Sequence, residues 1–124
     1  MIRAVIFDLD GTILDTLDDL AASVNGALKK GGMPLRSREE IRHFVGNGTP
    51  TLIARSVPAG TTEEIRARTW KNFIDIYAEE KSRHTRPYDG IAECVQSLLA
   101  DGNLCAVLSN KDDDAVRDLC AQYF

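Results

Sequence analysis

Two aspartates two positions apart, Asp8 and Asp10, are the residues whose type and spacing most directly suggest chemistry. They close a short apolar run, Ala4-Val5-Ile6-Phe7, and are followed by Gly11-Thr12. In extended backbone, residues two apart point to the same side. Both carboxylates can therefore share one site while Leu9 between them points into the core. Adjacent carboxylates repel and raise each other's pKa unless a cation lies between them. Mg²⁺ suits this role, because it takes oxygen ligands and accompanies phosphate-bearing substrates. Gly11 lets the chain turn sharply and brings backbone N–H groups near the site. The competing reading is an ordinary turn after a strand, since Asp and Gly are common turn residues.

The elements that must position these aspartates follow from apolar patterning. Ala4–Phe7 and Leu104–Leu108 are continuous apolar runs closed by polar residues, which predicts strands of a parallel sheet buried on both faces. The second run ends in Ser109-Asn110-Lys111, so both runs carry polar residues at the strand ends where open α/β sheets bind ligands. Between the runs the sequence reads as helices. Leu17, Leu20, Ala21, Val24, Ala27 and Leu28 keep a 3.6-residue period. Ser37 with Glu40, and Thr61 with Glu64, form capping boxes. Thr49-Pro50 reads as an N-cap followed by proline at the first helical position, and Asp15 as a cap for the first helix. Trp70, Phe73 and Tyr77 fall on the apolar face of a long helix. Two further helices, around Ile91–Leu99 and after Asp112–Asp114, complete the chain.

The order is thus strand, four helices, helix, strand, helix: an α/β chain with a helical insert of about 70 residues (16–86) between two parallel strands, far longer than a βαβ crossover requires. The insert carries a net charge of +3 and the remainder −7. A basic insert over acidic strand ends suits an anionic substrate bridged to carboxylates by a metal ion.

Composition excludes other classes. The chain has 124 residues, 15 Lys+Arg against 19 Asp+Glu, and a net charge of −4, which argues against a nucleic-acid binder. No apolar run exceeds five residues, which excludes a membrane span. The early Asp8 and Asp10 argue against a signal peptide. Three cysteines with no Cys-x-x-Cys spacing read as buried or half-buried thiols of a cytoplasmic protein.

The segment Val5-Ile6-Phe7-Asp8-Leu9-Asp10-Gly11-Thr12-Ile13-Leu14-Asp15-Thr16 resembles the first motif of the haloacid dehalogenase (HAD) superfamily, and Val107-Leu108-Ser109-Asn110-Lys111 its second. Phe44-Val45-Gly46-Asn47-Gly48, with Leu52-Ile53-Ala54-Arg55 behind it, resembles the small helical cap of the phosphoglycolate phosphatase branch. The resemblance runs from Met1 to Phe124. It implies a partial Rossmann-like core (1–15 and 87–124), contributing the first two parallel strands, and an inserted all-helical cap (16–86).

It also implies a reaction: Mg²⁺-dependent hydrolysis of a small phosphorylated metabolite, phosphoglycolate or a similar monoester. Asp8 would be the nucleophile that becomes an aspartyl phosphate, and Asp10 the acid and then the base. The Asp8 carboxylate and Asp10 backbone carbonyl would hold Mg²⁺. Gly11, Thr12, Ser109 and Asn110 would face the phosphate, with a helix cap as the other reading for Asn110. Asn47, Arg55 and Lys111 are candidates for substrate contact. Against that stand turn chemistry for Asn47, a surface charge for Arg55 and a solvated lysine for Lys111. His43 and His84 read as structural or surface residues.

The resemblance further implies a later lysine and a later acidic pair, both beyond Phe124. Without them the expectation is severely impaired catalysis. The alternative expectation is an inactive fragment that self-associates through its open sheet edges. A phosphoacceptor signalling domain would need an acceptor aspartate on a middle strand, where this sequence reads as helical.

Overall fold

The computed structural model describes Met1 and residues 3–124. Strand β1 (Ala4–Phe7) pairs in parallel with β4 (Leu104–Val107), Ala4 opposite Leu104 and Phe7 opposite Val107. Helices α5 (Ile91–Ala100) and α6 (Asp113–Tyr123) flank β4 in sequence. Side chains on a strand alternate between faces. Phe7 and Val107 point to the face that packs with Ile91, Val116, Leu119 and Cys120. Their neighbours point the other way, and Ile6 and Leu108 are 67% and 73% exposed. The expectation of strands buried on both faces is therefore corrected: helices cover one face of this two-stranded sheet and leave an apolar face open. Alternation hides in a sequence when both faces carry apolar residues.

A second strand pair joins core to insert. β2 (Leu14–Asp15) and β3 (Arg86–Pro87) run antiparallel, with Leu14 opposite Pro87, where the chain leaves for the helices and returns. This short pair has no apolar periodicity and was not anticipated.

Four helices lie between: α1 (Leu17–Lys30), α2 (Arg38–Phe44), α3 (Thr49–Ser56) and α4 (Glu63–Glu80). Leu20, Val24, Leu28, Ile41, Leu52, Ile53, Phe73 and Tyr77 form one apolar cluster among them. Fully burying a side chain such as Phe73 contributes about 1.5–3 kcal/mol. Phe73 and Tyr77 stack with centroids 5.4 Å apart. Gly26 allows α1 to approach α4 closely, since a Cβ there would lie 3.1 Å from Ile76 Cδ1.

The helix starts separate good local signals from ambiguous ones. Ser37 and Glu40 form the expected reciprocal capping box. In α4 the cap is Thr62, which accepts from Ile65 N, while Thr61 donates to Pro58 O. In α3 the cap is Gly48, and Thr49 sits inside the helix. Asp15 pairs in β2 instead of capping α1, whose cap position is Thr16. Cys94 is exposed, against the expectation for thiols, while Cys105 and Cys120 are half-buried.

Asp19, one turn into α1, is buried and accepts from the backbone N–H groups of His84 and Thr85 and from the Thr85 hydroxyl. Tyr123 Oη donates to Thr85 O at 2.7 Å. The returning chain is thus tied to α1 on one side and to α6 on the other.

Candidate active site

The parallel register of β1 and β4 brings Asp8 and Asp10 to the same sheet end as Ser109, Asn110 and Lys111. Leu9 is fully buried, which anchors the segment and leaves its two neighbours facing the cleft. Asp8 is exposed, and its Oδ1 accepts from Leu9 N at 2.8 Å. Asp10 is held by two donors on a single oxygen: Thr16 Oγ1 at 2.6 Å and Lys111 Nζ at 2.8 Å.

Lys111 is the largest departure from the sequence reading. Its side chain is only 2% exposed and lies over the Tyr77 ring, with Nζ 4.7 Å from the centroid. The solvated-lysine reading is wrong. Burial pulls its pKa below the usual lysine range, with the Asp10 charge opposing that pull. Its cation is compensated by a carboxylate and an aromatic face.

Ser109 Oγ accepts from Lys111 N at 3.1 Å, which leaves its own O–H to donate into the cleft. Asn110 neither caps α6 nor turns inward with its amide: Nδ2 donates to Gly46 O at 2.9 Å, across to the insert. Thr49 Oγ1 donates to Asp112 Oδ2 at 3.0 Å and accepts from Trp70 Nε1 at 3.0 Å, a second strap between insert and core. The amides of Gly11 and Thr12 are already committed within the turn, to Leu14 O at 2.9 Å and Leu9 O at 3.2 Å. They are not open donors for a phosphate, which corrects the expectation that this turn presents free N–H groups.

Two adjoining spaces share Asp8, Asp10, Leu20, Val45 and Gly46. One is a narrow cleft of about 30 Å³ that also touches Ser109, Asn110 and Lys111. The other is a cavity of about 490 Å³ reaching Gly11, Asp15, Thr16, Arg38, Arg42 and Tyr88. The cavity is of small-molecule size. Neither space is lined by Thr12, Asn47 or Arg55. Arg55 Nη1 instead donates to Phe44 O and Asn47 Oδ1, both at 3.1 Å, bracing the loop that carries Val45 and Gly46. Sequence reasoning missed Thr16, Arg38, Arg42, Tyr77 and Tyr88 as neighbours of the aspartates. Only Arg38 and Arg42 carried a local signal, an i,i+4 pair on one helix.

An open carboxylate at the cleft is the kind of oxygen donor that a partly hydrated Mg²⁺ accepts. Among the described residues no group of three or more His, Cys, Asp or Glu side chains gathers as a metal site. Asp10 Oδ1 is engaged by Lys111 and Thr16, which leaves Asp8 as the less encumbered of the two carboxylates. Mg²⁺ is commonly held by one or two carboxylates, with water and substrate phosphate completing its shell.

Comparison with known proteins identifies the family. The haloacid dehalogenase-like hydrolase family matches residues 5–123. A phosphoglycolate phosphatase of Vibrio parahaemolyticus is 33% identical over 98% of this chain and 56% of its own length. One from Pseudomonas putida is 34% identical over 97% of this chain and 46% of its own. A crystal structure described as a predicted phosphoglycolate phosphatase from Haemophilus somnus superposes with a TM-score of 0.93 at 30% identity, over 98% of this chain and 57% of that one. The chain spans about half the length of the curated relatives it matches.

Proposed function

Since the chain belongs to the haloacid dehalogenase-like hydrolase family, we propose that it hydrolyses a small phosphate monoester of the phosphoglycolate type, with Asp8 as nucleophile. The reading rests above all on one observation: Asp8, Asp10, Ser109 and Lys111, drawn from segments about 100 positions apart, face one cleft. Residues 1–15 and 87–124 act as the core and 16–86 as its cap.

In this reaction an Asp8 oxygen forms a bond to phosphorus while the ester P–O bond breaks. Asp10, which in this step carries on Oδ2 a proton taken up with the substrate while Oδ1 stays with Lys111 and Thr16, gives that proton to the departing alkoxide. Asp10, now a carboxylate held between Lys111 and Thr16, then takes a proton from the water that attacks phosphorus and frees Asp8. The Ser109 hydroxyl donates to a phosphoryl oxygen. The Asp8 carboxylate and the Asp10 backbone carbonyl would hold Mg²⁺, which when bound would supply positive charge against the transferring phosphoryl group. The test is phosphate release from 2-phosphoglycolate and p-nitrophenyl phosphate with Mg²⁺, comparing the parent with Asp8→Asn. Mg²⁺-dependent release abolished by the substitution is expected. Release that survives it overturns the reading.

A second reading is favoured by the open sheet face. Ile6, Leu104 and Leu108 are 67%, 72% and 73% exposed, and both edges of the two-stranded sheet are unpaired among the described residues. Such a surface associates with another chain. In this reading copies of the chain self-associate and are inactive.

A further inference from the structure

Within the proposed phosphatase reading, on which this step rests, the structure assigns Arg38 and Arg42 as the residues that recognise a second anionic group, a carboxylate, on the substrate. Among the described residues they are the cations lining the cavity of about 490 Å³, which Asp8, Asp10 and Asp15 also line. A phosphoryl group at Asp8 places the rest of its ester in this cavity, because the cleft of about 30 Å³ toward Lys111 has no room for it. An anionic tail is repelled by the aspartates and attracted to the arginines.

The two arginines are one helical turn apart on α2 and so share a face. Each is tethered by a single nitrogen. Arg38 Nε donates to Asp18 Oδ1 at 2.7 Å, and Arg42 Nη1 donates to Glu39 Oε1 at 3.0 Å. A guanidinium has five N–H donors in a planar fork, so both retain donors for a carboxylate while the tether restricts where the fork points. Val45 and Gly46, immediately after α2, line both the cleft and the cavity. The arginines are therefore carried by the helix that leads directly into the loop lining both spaces with Asp8. Arg55, the arginine singled out from sequence, is spent on bracing the loop.

The test is binding of two ligands to the full chain with Mg²⁺, measured by calorimetry on the Asp10→Asn background, which keeps the Asp8 carboxylate for the metal and removes the acid that turnover needs. The ligands are 2-phosphoglycolate and ethyl phosphate, in which a methyl replaces the carboxylate. The proposal expects 2-phosphoglycolate to bind about tenfold tighter or more, in line with charge-assisted hydrogen bonds. It expects the Arg38→Gln/Arg42→Gln variant to lose that preference while ethyl phosphate affinity stays unchanged. Arg38→Lys/Arg42→Lys, which keeps charge but loses the fork, recovers part of the preference, and Arg68→Gln on the distant α4 keeps all of it. Thermal melting of each variant confirms that both exposed positions tolerate the change. If ethyl phosphate binds and the preference is absent, or survives Arg38→Gln/Arg42→Gln, the proposal is overturned and the phosphatase reading stands. If neither ester binds the parent background, the phosphatase reading fails and the proposal with it.

Discussion

Lys111 Nζ lies 2.8 Å from Asp10 Oδ1, an ion pair between residues 101 positions apart in the chain, closed from solvent beside the Tyr77 ring. It links three regions at once: the motif after β1, the loop after β4, and α4 of the helical insert. Lys111→Met should strip Asp10 of its stronger donor and leave Thr16 alone to orient it. Because a misplacement of about 1 Å can cost about a hundredfold, kcat should fall by about that factor with KM little changed. Steady-state kinetics on a chromogenic phosphate ester checks the split.

Asp19 carries a pH prediction. Burial works to raise its pKa, but the hydrogen bonds from His84 and Thr85 outweigh it, and the net shift is downward from the usual carboxylate value. A group with a depressed folded-state pKa stabilises the fold fully above its unfolded value and loses that contribution as pH falls through the folded one. The parent should therefore lose stability as pH drops below about 4. Asp19→Asn should cost about 2–3 kcal/mol at neutral pH and flatten the acid limb. Urea unfolding at a series of pH values measures both.

Gly48 caps α3 at φ +88°, and a Cβ there would lie 3.2 Å from Asn110 O. Gly48→Ala combines left-handed strain of about 1–2 kcal/mol with a push against the loop that Asn110 and Gly46 hold together. The expected result is a lower unfolding midpoint and faster amide exchange at 46–49 and 110–112, read by hydrogen exchange.

The open sheet face makes its own prediction. Ile6→Lys or Leu108→Lys places a charge on exposed apolar surface, so it should weaken self-association while leaving the monomer's far-UV spectrum unchanged. Sedimentation velocity over a concentration series checks this. A parent chain that stays monomeric throughout removes the second reading.

How much of this was legible in the sequence depends on how local each signal was. Asp8-Leu9-Asp10 was readable because alternation and the buried Leu9 act within three residues. The Ser37–Glu40 box was readable for the same reason. Thr61-Thr62 offered two equivalent caps, and the structure uses the second. Thr49 lost its capping role to long-range partners, Asp112 and Trp70. Lys111 follows Ser-Asn in what looks like a solvated turn, and nothing nearby announces a carboxylate 101 positions upstream. The open faces of β1 and β4 were unreadable because their exposed residues are as apolar as their covered ones. Arg38 and Arg42 were missed, because their i,i+4 spacing marks only a shared helix face and the cavity they line depends on how α2 packs against α1.

The central claim is that Asp8 takes the phosphoryl group. Its most direct test is acid quenching of the chain with Mg²⁺ and 2-phosphoglycolate, followed by peptide mass spectrometry. A hydroxylamine-labile phosphoryl adduct on the peptide carrying Asp8, absent in Asp8→Asn, is the predicted result. An adduct on another residue, or phosphate release at the parent rate from Asp8→Asn, would contradict it.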